Sequence, residues 1–216
     1  MGSRIREVGL QEATPTTREI YQRVFGARDP VAEPGTATGS RGDYWTTLAV
    51  MPDILKMSAD TVWALLQPGR VLDPRYRELA ILRTAIVGDC KFEYSQHLKV
   101  ARMIGLSEEK IQAVKGWTTS EQFDPAECAL MAAVDELLSR NLVEDATFAA
   151  LKRHFTDAQI VELFFVVCTY RMHGMFIRAL HLEFDTDTTA RMQEVPASEE
   201  AVRKAYEQVT STTAPR

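Results

Sequence analysis

Arg77 to Leu106 reads RELAILRTAIVGDCKFEYSQHLKVARMIGL, and this stretch decides the fold. Just upstream, Asp73-Pro74 opens a helix. Asp is a good N-cap, and Pro fits the first helical turn, where its missing N–H costs nothing. Leu79, Leu82 and Ile86 follow at helical spacing as a buried stripe, and Gly88 marks the stop. Asp89 is placed to cap a second helix, from about Cys90 to Ile104, which Gly105 ends. Helices joined by so tight a turn are antiparallel neighbours.

The same signals extend along the chain. Thr16-Thr17-Arg18-Glu19 reads as a capping box opening a short helix, and a further helix lies near Asp53 to Leu66. Ser107-Glu108-Glu109 and Asp124-Pro125-Ala126-Glu127 are later starts, the second followed by an apolar face of Leu130, Val134 and Leu137. A helix near Asp145 to His154 comes next. Thr156-Asp157-Ala158-Gln159 then opens the most apolar helix, running to about Leu182. A helix apolar nearly all round is buried on several sides, as a central helix or one wedged in an oligomer interface. Arg28 to Gly42 holds Pro30, Pro34, Gly35, Gly39 and Gly42 and reads as a loop, with a lid among its readings. The tail after Asp185 is polar, with a surface helix at Ser198 to Gln208. Almost no segment alternates with period two, so the fold class is all-α, in a single domain with extended termini. The divisions are an N-terminal helix and loop (1–43), a helical core (44–185) and a polar extension (186–216).

Composition narrows the classes. The chain has 216 residues, 45% hydrophobic and 25% charged, with a net charge of −5. An acidic balance argues against nucleic acid as a partner, since non-specific binding needs a basic surface. No stretch is read as long and apolar enough to span a bilayer, because Ile160 to Ile177 carries Glu162, Arg171 and His173. The N-terminus lacks the apolar region of a secretory signal, so a cytoplasmic setting and no membrane partner are expected. Three cysteines without a CxxC give no disulfide framework or zinc ribbon. There is no Gly-rich phosphate loop, no HExxH and no GxSxG, and no cofactor is expected.

Glu93 and His97 are four apart on one helix and share a face with Val100 and Ile104. That apolar continuation points both inward, where a carboxylate and an imidazole are costly unless they pair or work. Such a pair can hold a proton near neutral pH, as general acid–base chemistry requires, or can be an ordinary helical pair. As metal ligands they are two, too few for a site, and no metal is expected. Glu78 starts the preceding helix, favoured there by the helix dipole. With straight helices the antiparallel turn puts it far from Glu93 and weakens a Glu78–His97 contact within one chain, which a helix crossing or a neighbouring subunit would restore. Cys90 sits at a helix N-terminus beside Lys91, which lowers a thiol pKa, while Asp89 opposes; it also reads as a small semi-buried residue. Cys128 and Cys168 read as core, as do Met172 and Met175. Arg171 must be paired in an internal or intersubunit salt bridge, with Glu162 and Asp135 as candidates, or must face a polar cavity and bind a substrate carboxylate; Arg83 has the same two readings.

The quoted stretch resembles the carboxymuconolactone decarboxylase/AhpD-like family. The resemblance rests on Arg77-Glu78-Leu79, on Glu93-Tyr94 with His97, and on Ala101 to Ile111. Phe155 to Leu182, with Leu163-Phe164-Phe165 and Tyr170, is similar to the C-terminal helix of larger members. Tyr44 to Leu48 and Met51-Pro52-Asp53 are similar to their first core helices, so the likeness covers roughly residues 40–185. It implies an AhpD-like all-α fold assembled as a trimer or hexamer. Aligned with the alkylhydroperoxidase branch, Cys90 takes the first position of a CxxC pair and Glu93 stands at the second. A dithiol cycle within the motif therefore cannot close. The decarboxylase branch resembles this chain better. It implies a cofactor-free carboxy-lyase or isomerase in aromatic-compound catabolism, acting on a small carboxylated lactone or enol. Glu93, His97 and Glu78 would be catalytic, and Cys90, Arg83, Tyr94, Tyr170 and Arg171 would line the substrate. The alternatives are a single-thiol redox protein using Cys90 and a non-catalytic oligomeric binding protein of the same fold.

Overall fold

The computed structural model describes residues 3–34, 43–67 and 69–182. The expected helix at 198–208 and the 35–42 part of the loop lie outside the described residues. The chain divides into two compact units, one of residues 1–70 with 180–216, the other of Val71–Ala179. The fold is all-α, with no strand among the described residues.

The first unit holds α1 (Pro15–Phe25), α2 (Asp43–Leu48) and α3 (Pro52–Leu66). The cap of α1 falls earlier than the sequence reading placed it. Thr14 is the N-cap, its hydroxyl accepting from Thr17 N–H at 3.2 Å, because Pro15 takes the first helical position. Tyr21 is fully buried, donates to the Val8 carbonyl at 2.8 Å and meets Phe25 edge-on. Arg23 covers the Trp63 ring at 3.8 Å.

The second unit holds α4 (Pro74–Val87), α5 (Lys91–Met103), α6 (Glu108–Ala113), a 3-10 turn (Val114–Thr119), α7 (Pro125–Arg140), α8 (Asp145–Lys152) and most of α9 (Asp157–Leu180). The expected caps are in place. Asp73 accepts from Arg75 N–H at 2.8 Å. Asp124 and Glu127 exchange bonds at 2.8 and 2.9 Å, and Thr156 with Gln159 does the same at 3.3 and 2.9 Å. Gly105, at φ 86°, closes α5 as expected. The turn between α4 and α5 differs from the reading. Cys90 is the N-cap of α5, and Asp89 takes the left-handed position at φ 49°. Reversal needs one residue there, and Asp tolerates it better than most.

Leu79, Leu82, Leu98, Leu130, Met131 and Leu163 form the centre of one core between α4, α5, α7 and α9. Arg83 belongs to this scaffold and not to a substrate site. Its guanidinium meets Asp135 at 2.5 and 2.8 Å and reaches the Val114 and Lys115 carbonyls at 3.2 and 3.0 Å. Trp117 Nε1 donates to the same carboxylate at 3.0 Å. Asp135→Ala strands a largely buried guanidinium and an indole N–H, so a loss of about 2–3 kcal/mol is expected. Urea unfolding with an unchanged slope and a lowered midpoint is the check.

α9 corrects two sequence expectations. By length and composition it is long enough and apolar enough to cross a membrane, with 56% of its most apolar window buried. A core helix passes the same test. Cys168, Met172 and Met175, read as core, are exposed. An all-apolar helix gives no sequence signal for which face is covered. Cys128 is half-buried.

Candidate active site

α4 and α5 run antiparallel from the Gly88-Asp89 turn. Glu78 precedes that turn by nearly as many residues as His97 follows it, so the two come level. His97 Nδ1 lies 2.7 Å from Glu78 Oε2, and Arg77 Nε donates to Glu78 Oε1 at 3.0 Å. The contact expected to be weak is therefore made within one chain. The turn separates Glu78 from Glu93, but it brings Glu78 to His97. Glu78 is fully buried. Burial pushes its pKa up, but His97 and Arg77 together outweigh that and hold it below the ordinary carboxylate value. Glu78 is thus the carboxylate that orients the imidazole, through Nδ1 and not Nε2.

α9 packs its Tyr170, His173 and Gly174 side against this pair. Tyr170 meets the His97 ring edge-on at 4.6 Å, and His173 meets Tyr170 at 5.6 Å. His173 is buried, and burial, with the nearby His97, lowers its pKa from 6.5 to about 4. It is a neutral imidazole at neutral pH. A Cβ on Gly174 would stand 3.1 Å from Glu93 Oε2 and 3.3 Å from Cys90 Cβ, so a larger residue would have to displace these neighbours by a few tenths of an ångström.

Glu93 is 3% exposed, and neither carboxyl oxygen has a hydrogen-bond partner among the described residues. Burial raises its pKa well above 4.5, opposed by the Arg171 charge. Burial thus favours its neutral form, and it does not pair with His97 as the i,i+4 spacing suggested. Cys90 is buried, and burial followed by Glu93 pushes its thiol up to about 12. Of its two sequence readings, the buried small residue is the one the structure bears out. Lys91 is exposed, and desolvation outweighs the helix N-terminus. A buried thiol of this kind does not suit a single-thiol redox centre.

Arg171 is half-buried and forms no ion pair among the described residues. The partners proposed for it are committed elsewhere: Asp135 to Arg83, and Glu162 to the Val71 and Leu72 N–H groups at 3.1 and 3.4 Å. Arg171 Nη1 lies where a Cβ on Gly88 would meet it at 2.9 Å, next to the α4–α5 turn. Tyr94 packs against the hydrophobic core, with Glu108 and Arg102 as charged neighbours. The structure thus gathers Glu78, Glu93, His97, Cys90, Tyr170 and Arg171, and adds Arg77, His173 and Gly174. Among the described residues no three His, Cys, Asp or Glu side chains cluster as metal ligands.

The fold is AhpD-like. A peroxidase-related protein from Ralstonia eutropha JMP134 with an alkylhydroperoxidase AhpD core superposes with a TM-score of 0.69 at 17% identity, covering 86% of this chain and 94% of that one. The debrominase Bmp8, solved with 2,3,4-tribromopyrrole, gives 0.66 at 14% identity over 88% and 96%. A protein of unknown function from Agrobacterium tumefaciens gives 0.62 at 23% identity over 65% and 97%. Residues 52–136 match the model of the Carboxymuconolactone decarboxylase family. That segment is therefore similar to the family, and the fold is like that of the AhpD-like structures. Bacillus subtilis (strain 168) has a relative, the uncharacterized protein YdfG, 25% identical over 93 residues. Those residues are 42% of this chain, and the match spans 63% of that relative's length.

Proposed function

We propose that the chain is a cofactor-free acid–base enzyme acting on a small carboxylated lactone or enol. The carrying observation is the Glu78 carboxylate, fully buried and 2.7 Å from His97 Nδ1. A carboxylate there stabilises the imidazolium and fixes which nitrogen exchanges protons. In the reaction, Arg171 holds the substrate carboxylate. The bond from that carboxylate to the ring or chain carbon breaks, CO₂ leaves, and the electron pair enters the conjugated enolate. His97 Nε2 then delivers its proton to the carbon, with Glu78 neutralising the cation before transfer. Glu93, whose neutral form burial favours, donates a hydrogen bond to the enolate oxygen, worth most in a site without water. Proton removal and return by His97 would make the same groups an isomerase.

The test is a panel of carboxylated lactones and β-keto acids, followed by CO₂ release and ultraviolet absorbance. Turnover by the wild type is expected to fall by about 10²- to 10⁴-fold in His97→Ala, with unchanged circular dichroism. A folded His97→Ala that keeps full turnover overturns the assignment.

A further inference from the structure

Three α9 residues meet the α4–α5 turn from one side. Arg171, Gly174 and Arg178 are spaced by three and four residues, so they share a face. Arg178 Nη1 donates to the Gly88 carbonyl at 2.7 Å, and its Nη2 lies 3.3 Å from Asp89 Oδ2. Arg171 reaches the same turn without such a partner among the described residues. Its Nη1 stands 2.9 Å from the point where Gly88 would carry a Cβ. Backbone conformation does not call for glycine there. Gly88 has φ −77° and ψ −5°, in the right-handed helical region open to any residue. Alanine is favoured over glycine at such a position through the entropy of the unfolded chain. The missing side chain serves space instead. Thr84 O, at 3.0 Å from the absent Cβ, need give only a few tenths of an ångström. Arg171 Nη1 is the end of a long flexible side chain, and it is the atom a methyl group would displace.

The end of α4 holds the guanidinium in this place. That helix has no basic residue in its own last turn. Its final carbonyls are already used. Thr84, Ala85 and Ile86 accept from the Gly88, Cys90 and Asp89 N–H groups at 2.8, 2.9 and 3.1 Å, and Gly88 accepts from Arg178. Arg171 therefore feels the negative end of the helix dipole while its own donors stay uncommitted. A planar carboxylate takes two of those donors at once, provided the fork is held in one orientation.

We infer that Gly88 is a positioning residue: by carrying no side chain it seats the Arg171 guanidinium against the α4–α5 turn, and that seat fixes the fork for a planar carboxylate. The inference rests on Arg171 as the group that holds the substrate carboxylate. Its test needs no turnover. The probe is benzoate, with affinity measured by titration calorimetry. Protection of Arg171 from phenylglyoxal, read by peptide mass spectrometry, locates the binding. The wild type is expected to bind benzoate and to be protected at Arg171. Gly88→Ala is expected to weaken benzoate by about 10-fold, as one of two charge-assisted bonds is lost. Its urea midpoint is expected to be no lower than that of the wild type. Asp89→Asn alters the same turn and tolerates the left-handed position, and it is expected to bind as the wild type does. Lysine has a shorter head and no fork to orient. On an Arg171→Lys background, Gly88→Ala is therefore expected to change affinity by no more than about 2-fold. A general loosening of the turn would instead cost the same on both backgrounds. Where the panel yields a substrate, Gly88→Ala is expected to raise KM at an unchanged kcat. A wild type that does not bind benzoate, or binding that survives Arg171→Gln, overturns the reading of Arg171 and this inference with it. Binding that is lost in Arg171→Gln but unchanged in Gly88→Ala overturns the inference alone. Equal losses from Gly88→Ala on the two backgrounds do the same.

Discussion

Glu78→Gln is expected to lower kcat by on the order of 10²- to 10³-fold while leaving KM within a few-fold. The substrate is whichever panel member the wild type turns over. The amide matches the carboxylate in shape and can still accept from Arg77 Nε and meet His97 Nδ1. What it loses is charge. Glu78 is held as a carboxylate by His97 and Arg77 against full burial. That stored negative charge is what stabilises His97 when it carries the proton to be delivered. Without it the protonated imidazole faces Arg77 across a neutral amide, and the proton-loaded enzyme becomes rare. Substrate binding through Arg171 is untouched, so the loss falls on kcat. A structural role alone predicts a different pattern: lower stability, with the folded fraction keeping wild-type kcat. Measuring kcat and KM beside the urea midpoint separates the two. A Glu78→Gln enzyme that is folded and fully active would sink the relay.

The parts of this site that were legible in the sequence were those set by local rules. Asp73-Pro74, Asp124 with Glu127, Thr156 with Gln159, and Gly105 fix helix ends through bonds within a few residues, and these stand as read. Glu93 pointing inward followed from the apolar residues in its stripe. The failures came where one helix meets another. Which acid meets His97 depends on register across the α4–α5 turn, and i,i+4 spacing favoured Glu93 when the turn delivers Glu78. Cys90 has two readings in sequence, an activated thiol and a semi-buried small residue, and burial decides for the second; helix-end and Lys91 effects are visible in sequence, whereas the desolvation that outweighs them is not. Arg83 and Arg171 had identical readings, and only the position of Asp135 on α7 separated them. Gly174 carried a usable signal: a glycine amid a long apolar helix costs about 1 kcal/mol against alanine, which implies a close approach there. His173, one residue before it, was passed over for the same want of a partner helix.

Acid is expected to destabilise the fold through His173. In the folded chain its pKa is about 4, against an ordinary 6.5. Between those values the unfolded chain binds a proton that the folded chain does not, so stability rises with pH. The full contribution is present above 6.5 and is lost as pH falls toward 4. A gap of this size corresponds to about 3 kcal/mol. Glu93 has the opposite sign. Its folded pKa is raised well above 4.5, so above that value the unfolded chain releases a proton that the folded chain keeps. Stability then falls as pH rises, until the folded carboxyl itself ionises. The two slopes have opposite signs above 4.5, and a wild-type profile alone hides both. Variants uncover them. His173→Gln is expected to lose about 3 kcal/mol less than the wild type on going from pH 7 to pH 4. Glu93→Gln is expected to hold its stability better than the wild type from pH 5 upward, since a neutral amide has no proton to release. Urea midpoints at half-unit pH steps read both. Parallel curves for wild type and His173→Gln would mean that His173 titrates alike in the folded and unfolded chains. The aromatic ladder from His97 through Tyr170 would then be open to water rather than sealed by α9.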